Sequence, residues 1–137
     1  MSEQELEVKG FTETEFREHI NQGLTALDEA FHYSEQFEQR TWDAELYRLK
    51  GELLQAQGAI GEEVETCYRQ ALDVAQRQSA KSLELRAAMS LSRLWQGQGK
   101  QADAYHLLSE IYNWFSEGFG TRDLQEAKAL LEALSKD

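Results

Sequence analysis

A chain of 137 residues is the length of one domain, and 41% hydrophobic content with no proline favours a helical core over a disordered tail. The formal charge of −11 repels phosphate backbones and disfavours nucleic-acid binding, while a single cysteine, Cys67, excludes an internal disulfide and fits a reducing cytoplasm. No apolar run approaches the roughly 18–20 residues a membrane span requires, and the acidic start MSEQELEVKG lacks the basic and apolar regions of a secretory signal.

Residues 1–12 show only weak alternation, at Leu6 and Val8, and read as an N-terminal arm or tail; residues 13–137 read as one helical domain. Thr12-Glu13-Thr14-Glu15 has the pattern of a capping box and opens a first helix over 13–39. Thr41 is placed to cap a second, 42–56, which stops at the turn between Gly58 and Gly61. A third runs over 62–78, and a fourth over 82–97 is ended by Gly97 and Gly99. The fifth, 101–116, ends at Gly118 and Gly120. Thr121 then caps a last helix, 122–135, with Leu124, Ala127, Leu130, Leu131 and Leu134 as its apolar stripe.

These helices repeat. Val64, Cys67, Tyr68, Ala71, Leu72 and Ala75 lie on one face of the third helix. The fifth has Ala104, Leu107, Leu108, Ile111, Tyr112 and Phe115 at the same internal spacing, and the first has Gly23, Ala26, Leu27, Ala30, Phe31 and Ser34. Adding 41 to Tyr47, Lys50, Gly51, Leu54 and Gly58 reaches Ala88, Leu91, Ser92, Trp95 and Gly99. Small residues recur where paired helices approach, Gly51 or Ser92 on one and Ala30 or Ala71 on the other. A repeat of about 40 residues, each a pair of antiparallel helices, predicts an all-α solenoid of about six helices.

The small and aromatic positions, with Gly51 and Ala71 at the packing points and Tyr47 and Tyr68 beside them, resemble the tetratricopeptide repeat in a variant longer than the usual 34 residues. Trp95, Gly99, Ala104 and Leu108 fill the equivalent places in the next unit, and the proline that often closes a repeat is missing. WDAELYRLKGELLQAQG (42–58), KSLELRAAMSLSRLWQGQGK (81–100) and WFSEGFGTRDLQEAKALLEAL (114–134) resemble the C-terminal repeats of large bacterial signalling ATPases. Those proteins carry nucleotide cyclase or DNA-binding domains ahead of an ATPase. The residues that perform those activities have no counterpart here, so the resemblance implies a cytoplasmic scaffold for protein binding and no enzyme.

No catalytic constellation appears. Gly97-Gln98-Gly99-Lys100 has Leu94 where a phosphate loop needs its first glycine, and Gln101 where it needs Ser or Thr. His19, His32 and His106 are scattered, no metal-binding spacing exists, and no cofactor is expected. Cys67 sits between apolar neighbours and reads as packing. Tyr112 and Phe115 read as core, while Trp114 and Phe119 are assigned to covering the terminal repeat, with a partner-docking role as the alternative.

In repeats of this family the first helix of each pair lines a concave side. The candidate contacts are therefore Glu45, Arg48, Glu52 and Gln55 on the second helix, and Arg86, Met89, Arg93 and Gln96 on the fourth. Residues 81–95 carry Lys81, Arg86 and Arg93 against one acid, Glu84. Arg48, Arg86 and Arg93 are the candidates for holding an acidic peptide or a C-terminal carboxylate, since guanidinium forks match carboxylates. The competing expectation is that they pair with Glu52 and other groove acids. A protein-interaction module leads the functional readings. Its alternatives are a small-effector sensor acting on an ATPase partner and a self-assembling homo-oligomer.

Overall fold

The structure is a computed structural model that describes residues 12–38 and 40–136; the expected arm over 1–12 falls almost wholly outside them. Six helices and no strand occupy the described residues: α1 (Glu13–Phe37), α2 (Asp43–Gln57), α3 (Gly61–Arg77), α4 (Lys81–Gly97), α5 (Gln101–Tyr112) and α6 (Arg122–Leu134). Each helix packs against the next. In addition α2 touches α4 and α4 touches α6, whereas α1, α3 and α5 do not touch one another. The even-numbered helices thus form a close row and the odd-numbered helices splay, which bends the stack with α2, α4 and α6 on its inner side. The expected all-α helix-pair arrangement is what the chain adopts.

Local chemistry sets most of the ends. The Thr12 hydroxyl accepts from the Glu15 amide at 3.1 Å, and the Thr121 hydroxyl from the Leu124 amide at 3.5 Å, as their capping positions require. The second helix differs from expectation. It begins at Asp43 with Trp42 as its cap residue, and Thr41 contributes no cap. Asp43 instead turns its carboxylate inward, where the Ser34 hydroxyl donates to it at 2.6 Å. Helix α1 ends at Phe37 because Glu38 turns left-handed at φ 55°. Helix α5 also stops early, at Tyr112 instead of Ser116. The Trp114 and Phe115 amides bond back to Ile111 and Tyr112 in tight turns, so Phe115 leaves the helical stripe while still packing on the core.

The stripes that define the repeat are the core. All six stripe residues of α3 are buried, as are Leu85, Ala88, Leu91 and Ser92 of α4 and Ala104, Leu108 and Ile111 of α5. Burying side chains such as Leu85, Leu91 and Leu108 contributes about 1.5–3 kcal/mol each. Ser92, at the position equivalent to Gly51, is fully buried and donates to the Ala104 carbonyl at 3.3 Å, which satisfies its hydroxyl against α5. The α1 stripe is thinner: Ile20, Leu27 and Ser34 are buried but Ala26 is exposed, since α1 has a neighbour on one side alone.

Candidate functional site

The inner row brings charged residues from three helices onto one face. On α2, Arg48 forks onto Glu45, with Nε 2.6 Å and Nη2 3.1 Å from its two carboxylate oxygens, and reaches Glu52 through Nη1 at 2.7 Å. The Ser90 hydroxyl of α4 lies 3.4 Å from both Arg48 Nη1 and Glu52 Oε1. Arg86 spans all three helices, donating to Glu45 of α2 at 3.0 Å and to Asp123 of α6 at 2.8 Å. Further along, Arg122 donates to Glu126 at 2.8 Å, and Arg93 approaches Glu126 at 3.9 Å.

This network encloses a shallow groove of about 290 Å³. Arg48, Arg86, Met89 and Arg93 line it together, as their shared position on the inner helices predicts, and α6 adds Arg122, Asp123 and Glu126. Met89 is 3% exposed and belongs to the core, so it is the floor of the groove and not a projecting contact. Glu52 is absent from the lining and pairs with Arg48. Gln55 and Gln96 fall outside the lining; Gln55 instead accepts from the Tyr68 hydroxyl at 3.2 Å.

The electrostatics are those of a saturated ladder. Glu45 is pulled upward by burial, but the bonds and charges of Arg48 and then Arg86 outweigh it and hold the carboxyl below its usual range. Arg86 is raised, first by its bond to Asp123. Arg48 is 16% exposed and engaged on every side, whereas Arg122 is 90% exposed. Guanidinium N–H groups therefore face solvent at the α6 end of the groove, not at the Arg48 end. The competing expectation, pairing of the arginines with groove acids, describes Arg48 and Arg86.

A second, larger cleft of about 690 Å³ lies at the edge of the stack. Trp42 and Leu83 give it apolar walls, and Arg86 is common to this cleft and the groove. Neither Trp42 nor the α6 residues were expected at a site. Trp42 sits at a helix start outside the repeated stripes, and α6 joins the inner row after a connection that departs from the 41-residue offset.

No family model, curated protein or solved structure matches the chain. Among the described residues no group of His, Cys, Asp and Glu is arranged to hold a metal, and no helix is long and apolar enough to cross a membrane. Cys67 is buried, and burial raises its thiol. Trp114 packs edge-on against Phe115 with Lys81 Nζ 5.3 Å from its ring, and Phe119 lies 5.9 Å from Tyr112.

Proposed function

We propose that the chain is a tetratricopeptide-type interaction module, of the kind found in bacterial signalling proteins, that binds an acidic segment of a partner protein along its inner face. The observation that carries this reading is Arg86, whose guanidinium is shared by carboxylates from α2 and α6 across the groove. Arg48 and Arg86 are already paired, so a partner carboxylate engages the guanidinium groups at the rim beside this ladder. Arg93 and Arg122 supply the exposed N–H groups at the rim. Both clefts open to solvent, which supports an extended peptide over an enclosed small effector.

The test is affinity capture from the source cells with wild type and with Arg93→Glu/Arg122→Glu, which reverses the rim without touching the buried ladder. A protein retained by wild type and lost by the variant supports the groove. Equal retention removes the groove assignment, and no retained protein removes the module reading.

A further inference from the structure

Helix α1 carries a face that none of the described helices fills, and the repeat shows what kind of element fits it. In α3 the equivalent face is closed: Cys67 and Ala71 are 5% and 0% exposed. Cys67 meets the preceding inner helix, since a Cβ placed on Gly51 of α2 stands 3.2 Å from its Cβ. The 41-residue offset carries Cys67, Ala71 and Val74 onto Ala26, Ala30 and Tyr33 of α1. There Ala26 is exposed, Ala30 is half-buried and Tyr33 is 58% exposed. Phe37, 52% exposed, continues the row one turn on, its ring centroid 4.7 Å from that of Tyr33. Helix α2 packs on a different flank, where its Tyr47 ring lies 4.8 Å from Phe31.

The charge beside this row selects its occupant. Ala26 shares a shallow depression of about 400 Å³ with Glu18 and Glu29. Residues 13–37 hold six acidic side chains against Arg17, and Arg17 is itself paired with Glu13. Glu18 and Glu29 have no ion-pair partner among the described residues. Uncompensated carboxylates along an apolar row favour a basic partner over an acidic one. From Glu18 to Phe37 the face extends about 28 Å at about 1.5 Å per residue, the length of a helix of about five turns.

We propose that this face of α1 docks an amphipathic helix of a partner protein, with apolar side chains against Ala26, Ala30, Tyr33 and Phe37 and with lysine or arginine beside Glu18 and Glu29. The docked helix takes the position on α1 that α2 takes on α3. The surface is separate from the inner groove proposed for an acidic segment, so either can fail without the other.

The probe is a synthetic amphipathic helix of leucine, alanine and lysine, about 18 residues long, with a counterpart in which glutamate replaces every lysine. Each is titrated into the isotopically labelled full chain and followed by amide NMR shifts. The expected result is that the lysine peptide binds with its largest shifts within residues 18–37 and that the glutamate peptide does not bind. Tyr33→Ser/Phe37→Ser then weakens the lysine peptide roughly 10-fold, in a variant whose melting curve matches wild type. Glu18→Gln/Glu29→Gln weakens it several-fold, while Glu62→Gln/Glu63→Gln on α3 leaves it unchanged. Equal loss in the two charge variants means unspecific attraction to an acidic chain and overturns the site. Absence of binding, equal binding of both peptides, or largest shifts outside 18–37 overturns it as well. A concentration-dependent dimer that Tyr33→Ser/Phe37→Ser dissolves gives the face to a second copy and overturns the partner helix.

Discussion

Gly51 lies against the ring of Tyr68: a Cβ placed on Gly51 falls 2.6 Å from Cε1 and 2.8 Å from Cδ1 of that ring, distances no real contact sustains. The absence of a side chain at Gly51 is what lets α2 and α3 approach, and the aromatic ring fills the space so created. Gly51→Ala is therefore expected to overpack the pair and cost about 1–3 kcal/mol. Thermal unfolding followed by far-ultraviolet circular dichroism should show a fall of about 3–10 °C in Tm. An unchanged Tm means the ring swings aside freely.

The groove network makes a pH-dependent contribution. Glu45 has its carboxyl held below the ordinary value of 4.5, with burial opposed by Arg48 and Arg86. A folded-state pKa below the unfolded one gives stability that is present above the unfolded value and lost as pH falls through the folded value. Glu45→Gln should thus be less stable than wild type at neutral pH, by something on the order of 1 kcal/mol. That gap should close as both proteins are titrated below about pH 4, where the unfolded-state carboxyl is largely protonated. Chemical denaturation across this range measures it; a gap that persists in acid would remove the ionic origin.

The indole of Trp95 is held by charge as well as by packing. Its Nε1–H donates to Glu65 at 2.9 Å, the first cause of the lowered Glu65 pKa, and Arg69 bonds Glu65 at 2.8 Å while lying 5.4 Å from the Trp95 ring. A double-mutant cycle with Glu65→Ala and Trp95→Phe should return a coupling of about 0.5–1.5 kcal/mol. Simple additivity of the two changes would mean that solvent replaces the bond at no cost.

What the sequence made legible follows from which forces repeat. The stripe of Val64, Cys67, Tyr68, Ala71, Leu72 and Ala75 and the offset pair Gly51 and Ser92 are set by packing, and packing recurs with the helix pair. The inner-face position of Arg48, Arg86 and Arg93 was legible for the same reason. Met89 lines the groove but as part of the core: periodicity puts it beside Arg86, whereas the folded stack buries it. Arg122, Asp123 and Glu126 were not legible as groove residues: the stripe of Leu124, Ala127, Leu130 and Leu134 gives the buried face of α6, but the connection over 113–121 breaks the offset that would place α6 beside α4. Asp43 shows the limit of local rules: a helix start with Thr41 nearby suggests a cap, but a buried partner, Ser34, decides the geometry.

That Ser34–Asp43 bond should govern how firmly α1 is attached. Helix α1 touches α2 alone and buries few residues, so in a nearest-neighbour stack it opens with less free energy than the interior pairs. Ser34 and Asp43 are both buried, at 3% and 7% exposure. Ser34→Ala removes a donor from a buried carboxylate and leaves Arg40, whose Nη1 is 3.5 Å away, as its remaining side-chain partner of those two. The expected cost is about 1–3 kcal/mol, felt at the α1–α2 contact. Native-state hydrogen exchange should therefore show α1 amides as the least protected among the six helices, with Ser34→Ala accelerating α1 and leaving α3 and α4 unchanged. Acceleration of α3 and α4 in parallel would mean that the stack unfolds as one unit and that α1 is no separate step.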